Sequence, residues 1–168
     1  MLTIDATVGG TASNSFGTLA EAEEYFAARL PAQKPNWLAT GDDDEAKKAA
    51  LISATDRLQL ERYGGERARR TQRLKFPRCG LMTLDGEEIA ADVIPRELKA
   101  AEFELAEVLL GASAPVASAL DQFEELGLPG GFKIKPRKSA SSSSTELPAH
   151  VAQLINEFIL SGATILRA

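Results

Sequence analysis

The segment that most constrains the fold is the one Pro95 opens, "PRELKAAEFELAEVLLG". Proline suits the first position of a helix, where its missing N–H is no loss. Leu98, Ala101, Leu105 and Leu109 follow at helical spacing and share one face, and Gly111 ends the pattern. Such a stripe has to be covered by other elements of the chain or by a partner. Two earlier segments have matching faces. In "TLAEAEEYFAARL", Thr18 and Glu21 form a capping box, Leu19, Ala22, Phe26 and Leu30 line one side, and Pro31 stops the helix. In "GDDDEAKKAALISATDRLQLERYGG", Asp42 and Glu45 mark a start, and three consecutive aspartates suit a helix N-terminus. Ala50, Leu51, Ala54 and Leu58 form the face, and the helix is expected to run to about Tyr63, before Gly64-Gly65. Trp37 is expected in the intervening loop, packed on the core.

The remaining segments are shorter. Leu2, Ile4, Ala6 and Val8 alternate with polar neighbours ahead of Gly9-Gly10, which predicts a short strand or an extended arm. After Gly111, "APVASALDQFEELGLPGG" offers a short fourth helix. "FKIKPRK" alternates Phe132 and Ile134 with lysines, predicting a short basic strand over 132–135 that Pro136 stops or keeps at an edge. "SASSSST" has the composition of a flexible linker, and Pro148 then restarts a helix with Val151, Leu154, Ile155, Phe158 and Ile159 on one face. The fold class expected is mainly α: a small helical bundle with minor β elements and a tethered C-terminal helix. The division expected is a helical domain over 1–138, then a linker and docking helix over 139–168. That helix either folds back on the core or docks on a partner or neighbouring subunit.

Composition narrows the function. The chain has 168 residues, 19 basic and 24 acidic, for a net charge of -5. A whole-surface electrostatic grip on DNA is therefore disfavoured, although a local patch is not. The single cysteine, Cys79, rules out an internal disulfide and a cysteine-based zinc site, and is expected to be a small buried filler. "MLTIDATVGG" has neither a basic start nor an apolar run, and no segment approaches a membrane span, so a cytoplasmic site of synthesis without membrane association is expected.

Catalytic equipment is sparse. The only histidine, His150, would have to meet Cys79 to form a thiolate pair, and nothing in the sequence brings them together. Ser15 has no evident base. The Gly-Gly pairs lack a phosphate-loop pattern. Asp42, Asp43 and Asp44 lack the alternating spacing of a calcium loop. Glu104 and Glu107 are expected to face outward as solvated charges. No enzyme activity, metal or cofactor is expected.

One stretch stands apart. Between Glu61 and Arg78 lie Arg62, Arg67, Arg69, Arg70, Arg73, Lys75 and Arg78, opposed only by Glu61 and Glu66. These residues either pair within the chain, contact phosphates or meet an acidic protein surface. Tyr63 and Phe76 flank them and raise the question of base stacking, although Phe76 before Pro77 also suits a core anchor.

The order of motifs resembles a known family. "NSFGTLAEAEEYFAARL" precedes a Trp loop, then "EAKKAALISATDRLQ", then "QRLKFPRCGLMTLDGEEIAADVIPRELKAAEFELAEVLL". From Asn14 to Leu110 this is similar to small tailed-phage proteins known as head–tail connectors (adaptor or head-completion proteins). The same family also carries a DnaT-like single-stranded-DNA-binding label. The resemblance implies a structural adaptor that forms a ring, twelvefold to match the portal, located in the virion neck. Its implied partners are the portal protein, neighbouring copies of itself, a downstream connector or tail protein, and double-stranded DNA passing through the channel. On that basis Val151, Leu154, Ile155, Phe158 and Ile159 would dock on the portal. Arg67, Arg69, Arg70, Arg73, Lys75 and Arg78 would face a neighbour or the channel. Phe16, Trp37, Leu74, Phe76, Pro77 and Pro95 would form the core motif. The alternative is a replication accessory protein that binds single-stranded DNA.

Overall fold

The computed structural model describes residues 1–83, 86–113 and 147–159. Its elements in chain order are α1 (Leu19–Ala27), a 3-10 turn (Pro31–Gln33), α2 (Pro35–Thr40), α3 (Asp44–Leu58), β1 (Glu66–Arg67), β2 (Arg78–Cys79), α4 (Arg96–Ser113), α5 (Ala149–Ile155) and a second 3-10 turn (Asn156–Phe158). The fold is mainly α. The described strands form one antiparallel ribbon, pairing Glu66 with Cys79 and Arg67 with Arg78.

Helix α4 is the centre of the bundle, and α1, α2, α3 and α5 all pack on it. Its expected stripe is where the burial occurs: Leu98, Ala101 and Leu105 are buried, and Leu109 is partly buried against the core. Pro95 immediately precedes the helix, and its carbonyl accepts from the N–H of Leu98 at 3.1 Å. Ala50, Leu51, Ala54 and Leu58 of α3 are all buried. The Thr18–Glu21 capping box forms: Thr18 Oγ1 accepts from the Glu21 N–H at 3.2 Å, and Glu21 Oε2 accepts from the Thr18 N–H at 2.7 Å.

Several boundaries differ from expectation, each for a local reason. Helix α1 ends at Ala27, so Leu30 lies outside the apolar face and is 69% exposed. Asp43, not Asp42, caps α3, because its carboxylate reaches the Ala46 N–H at 3.0 Å. That helix stops at Leu58, well before Tyr63. Trp37 sits within helix α2, not in a loop. Of the two alternatives for the N-terminal segment, strand or arm, it is an arm: the Asn14 side chain fills the role of a pairing partner, its Oδ1 accepting from the Asp5 N–H and its Nδ2 donating to Thr3 O.

The core has two aromatic centres. Phe16, Tyr63, Phe76 and Phe158 meet edge to face, with Phe76 in contact with each of the other three. Tyr25, Phe26, Trp37 and Phe103 form the second. Phe16, Trp37, Leu74, Phe76, Pro77 and Pro95 are all buried, as the core motif requires.

The C-terminal helix folds back. Val151, Ile155 and Phe158 are buried in the core of this same chain, and Leu154 and Ile159 pack against it. The Gly64 N–H donates to Phe158 O at 2.8 Å, and Tyr63 bridges Ile159. The face expected to dock on a portal is thus covered by α4 and its neighbours. The expected helix after Gly111, the strand over 132–135, the serine linker and the boundary at 138/139 lie outside the described residues.

Candidate nucleic-acid interface

The basic stretch folds as the β1–β2 ribbon and the loop joining its strands. Gln72 organises that loop from inside. It is 3% exposed, its Nε2 donates to Leu74 O at 2.8 Å and to Pro77 O at 3.0 Å, and its Oε1 accepts from the Arg69 N–H at 2.8 Å. The Ala68 N–H closes the loop on Pro77 O at 3.1 Å. The ribbon begins at Gly65, where φ is +64° and a Cβ would sit 2.3 Å from the carbonyl oxygen of Cys79. Only glycine permits that approach. The N-terminal arm supports the other side. Gly10 O accepts from the Arg73 N–H at 3.1 Å, and the Arg69 side chain runs alongside Gly9.

The seven basic residues divide into two groups. Arg78 and Lys75 turn inward and are structural. The Arg78 guanidinium donates to the carbonyls of Gly64, Gly65 (2.6 Å), Tyr63 (3.3 Å) and Lys75 (3.1 Å). The Lys75 ammonium donates to Glu61 O at 2.6 Å. Arg62, Arg67, Arg69, Arg70 and Arg73 are exposed. Among the described residues, none of these five lies in an ion pair with a carboxylate. The positive charges are close enough to act on one another. Burial lowers the Lys75 pKa, and repulsion from Arg67 and Arg78 lowers it further. Arg78 is lowered by burial and then by Arg67.

One expectation about this region fails and one open question closes. Cys79 is exposed, because its position opposite Glu66 in a two-stranded ribbon leaves nothing to cover it. Tyr63 and Phe76 are 4% and 1% exposed: Phe76 is the core anchor its place before Pro77 suits, and neither ring offers a face to a base.

The functional carboxylates of the fold escaped the sequence reading. Glu107, expected to face solvent, is buried and caps α2 from across the bundle: its two oxygens accept from the N–H groups of Asn36 at 2.8 Å and Trp37 at 2.6 Å. Helix α2 has no side-chain cap of its own. Glu104 is partly shielded, accepting from the Tyr25 hydroxyl at 2.7 Å and facing Arg29 at 3.4 Å. Glu102 is fully buried, and its acidic side chain gives no sign of that in the sequence. The one available signal was its place on α4 beside Ala101, on the stripe side of the helix. Ser15 does meet a carboxylate, that of Glu102, but the pair is sealed in the core. Among the described residues there is no metal-binding cluster and no helix long and apolar enough to cross a membrane.

Fold and surface together define a small helical domain that presents an arginine-bearing ribbon. A family model described as "Putative DnaT-like ssDNA binding protein" matches residues 1–164, and the chain belongs to that family. The match reaches well beyond the expected Asn14–Leu110 and takes in the C-terminal third. It agrees with the DNA-binding label of the sequence resemblance and gives the connector label no support. Comparison with curated proteins and with solved structures gave no match.

Proposed function

We propose that this protein binds single-stranded DNA through the β1–β2 ribbon, with Arg67, Arg69, Arg70 and Arg73 on the phosphates. The observation that carries the reading is their shared state. All four are exposed, free of carboxylate partners among the described residues, and held on a loop that Gln72 and the N-terminal arm keep in shape. Arginine's planar donor fork suits phosphate. Membership of the DnaT-like family supports the same reading. The net charge of -5 means that binding is local and strongly salt-dependent. Fluorescence anisotropy with a labelled single-stranded oligonucleotide tests it. Micromolar binding at low salt that weakens steeply as salt rises is expected, and the absence of binding at low salt contradicts it.

A second reading, the head–tail connector, has one structural observation in its favour. The chain carries two exposed elements of opposite charge: Asp42, Asp43, Asp44 and Glu45 at the start of α3, and the arginine ribbon. Copies in a ring could bring these together, with portal and tail proteins as further partners in a virion neck. Counting this protein against the portal in purified virions by quantitative mass spectrometry separates the readings. Equal copy numbers favour the connector, and absence from particles removes it.

A further inference from the structure

What the ribbon can recognise follows from which side chains it has left to offer. Its aromatic neighbours are committed inward: the Tyr63 and Phe76 rings meet edge to face at 4.9 Å, and the Tyr63 hydroxyl donates to Leu58 O. The amide best placed to read a base edge, Gln72, uses both of its ends inside the loop. The other described aromatic centre is equally engaged, with Trp37 Nε1 donating to Glu23 at 3.2 Å. Single-strand selectivity ordinarily comes from stacking unpaired bases on exposed aromatic faces. Guanidinium groups on a pinned loop instead match phosphate oxygens, which carry no sequence information and are present in every nucleic acid.

We infer that the ribbon recognises the phosphodiester backbone alone, so that its ligand class is a phosphate chain of either strandedness, not unpaired bases. This rests on the nucleic-acid reading above. Four arginine–phosphate contacts give a slope of log K against log salt of about -3 on single strands and about -4 on duplex, since each contact contributes about 0.7 or 0.9.

The test uses the full chain and three labelled probes of equal length: a natural single strand, a single strand of abasic sugar–phosphate units, and a duplex. The abasic strand is expected to bind within about threefold of the natural one. The duplex is expected to bind at least as tightly, and Arg70→Ala is expected to weaken all three by a similar factor. A tenfold or greater loss on removing the bases overturns the inference and leaves DNA binding standing, since stacking on even one aromatic ring contributes about five- to a hundredfold. A natural single strand that the duplex fails to displace overturns it in the same way. Binding of none of the three refutes the nucleic-acid reading and the inference together.

Discussion

The Ser15 hydroxyl lies 2.5 Å from Oε1 of Glu102, joining the loop ahead of α1 to the middle of α4. The same carboxyl group accepts from Thr55 Oγ1 of α3 at 2.7 Å and from the Gly17 N–H at 2.8 Å. One side chain, fully buried, therefore ties three segments together. Ser15 Oγ is also 2.6 Å from Gly17 O, and a hydroxyl has only one proton to give. When Ser15 donates to Gly17, its short contact with Glu102 requires the carboxyl to carry a proton. Burial pushes the Glu102 carboxyl up to about 7, against the pull of its four hydrogen-bond donors.

That shift gives stability a defined pH dependence. Between about 4.5, the ordinary glutamate value, and about 7, the folded protein keeps a proton that the unfolded chain has released. Stability is therefore greatest at the acidic end of the window, falls as pH rises to about 7, and then levels off. The whole change is about 3 kcal/mol at most. Asp5 is shifted down by its Thr7 hydrogen bonds, and so acts at more acidic pH. Burial works upward on Glu21 and Glu23, but Lys99 with Thr18, and Lys47 with Trp37 and Lys34, together outweigh it, so these two also titrate below the window. Urea denaturation at pH 5 and pH 7.5 checks the sign. Glu102→Gln is expected to flatten the slope, while costing about 1–3 kcal/mol at pH 5 because its amide has only one acceptor end for the Phe16 and Gly17 N–H groups that the two carboxyl oxygens serve.

Glu107 gives a prediction that can be read optically. Glu107→Ala leaves the N–H groups of Asn36 and Trp37 without their acceptor, at a cost of about 1–3 kcal/mol. Trp37 is the only tryptophan, so loosening of α2 is expected as a red shift of its emission. Emission unchanged from the native protein would contradict the capping role.

Arg78 and Arg70 are expected to part company. Arg78→Ala leaves four carbonyls without a donor and should destabilise by about 1–3 kcal/mol. Arg70 is exposed, so Arg70→Ala should stay within about 0.5 kcal/mol of wild type while weakening DNA binding. Thermal melts and anisotropy on the two variants check both halves.

Helix α5 is expected to be part of the cooperative unit. Phe158→Ala empties a buried site against the Phe76 ring and should cost about 3–5 kcal/mol. Removing residues 147–168 should abolish a cooperative melt, whereas a separable docking segment would leave the melt unchanged.

Helices α1, α3, α4 and α5 were legible because each carries a face at helical spacing and a local start signal, whereas the short α2, with no side-chain cap of its own, was not. Leu98, Ala101 and Leu105 are buried as their spacing requires, and Thr18 and Glu21 cap α1 through contacts three residues apart. What escaped was long-range. The partners of Glu107 lie at Asn36 and Trp37, and those of Glu102 at Ser15 and Thr55, so apart from the place of Glu102 on the stripe side of α4, nothing near either glutamate in sequence marks it as buried. The same limit applies in the basic stretch. Lys75 and Arg78 look like Arg70 and Arg73 in sequence, and only the folded loop brings the carbonyls of Tyr63, Gly64, Gly65 and Lys75 to Arg78. The destination of the C-terminal face was open for a related reason: periodicity shows that Val151, Ile155 and Phe158 need cover, not which surface provides it.

The most direct measurement compares wild type with the variant carrying Arg67→Ala, Arg69→Ala, Arg70→Ala and Arg73→Ala, by anisotropy on a labelled single strand at low salt. Circular dichroism and thermal melts establish first that the variant is folded. Wild type is expected to bind in the micromolar range, and the folded variant to lose at least a hundredfold in affinity along with its salt dependence. A folded variant that binds as wild type does would contradict the assignment of DNA binding to this ribbon.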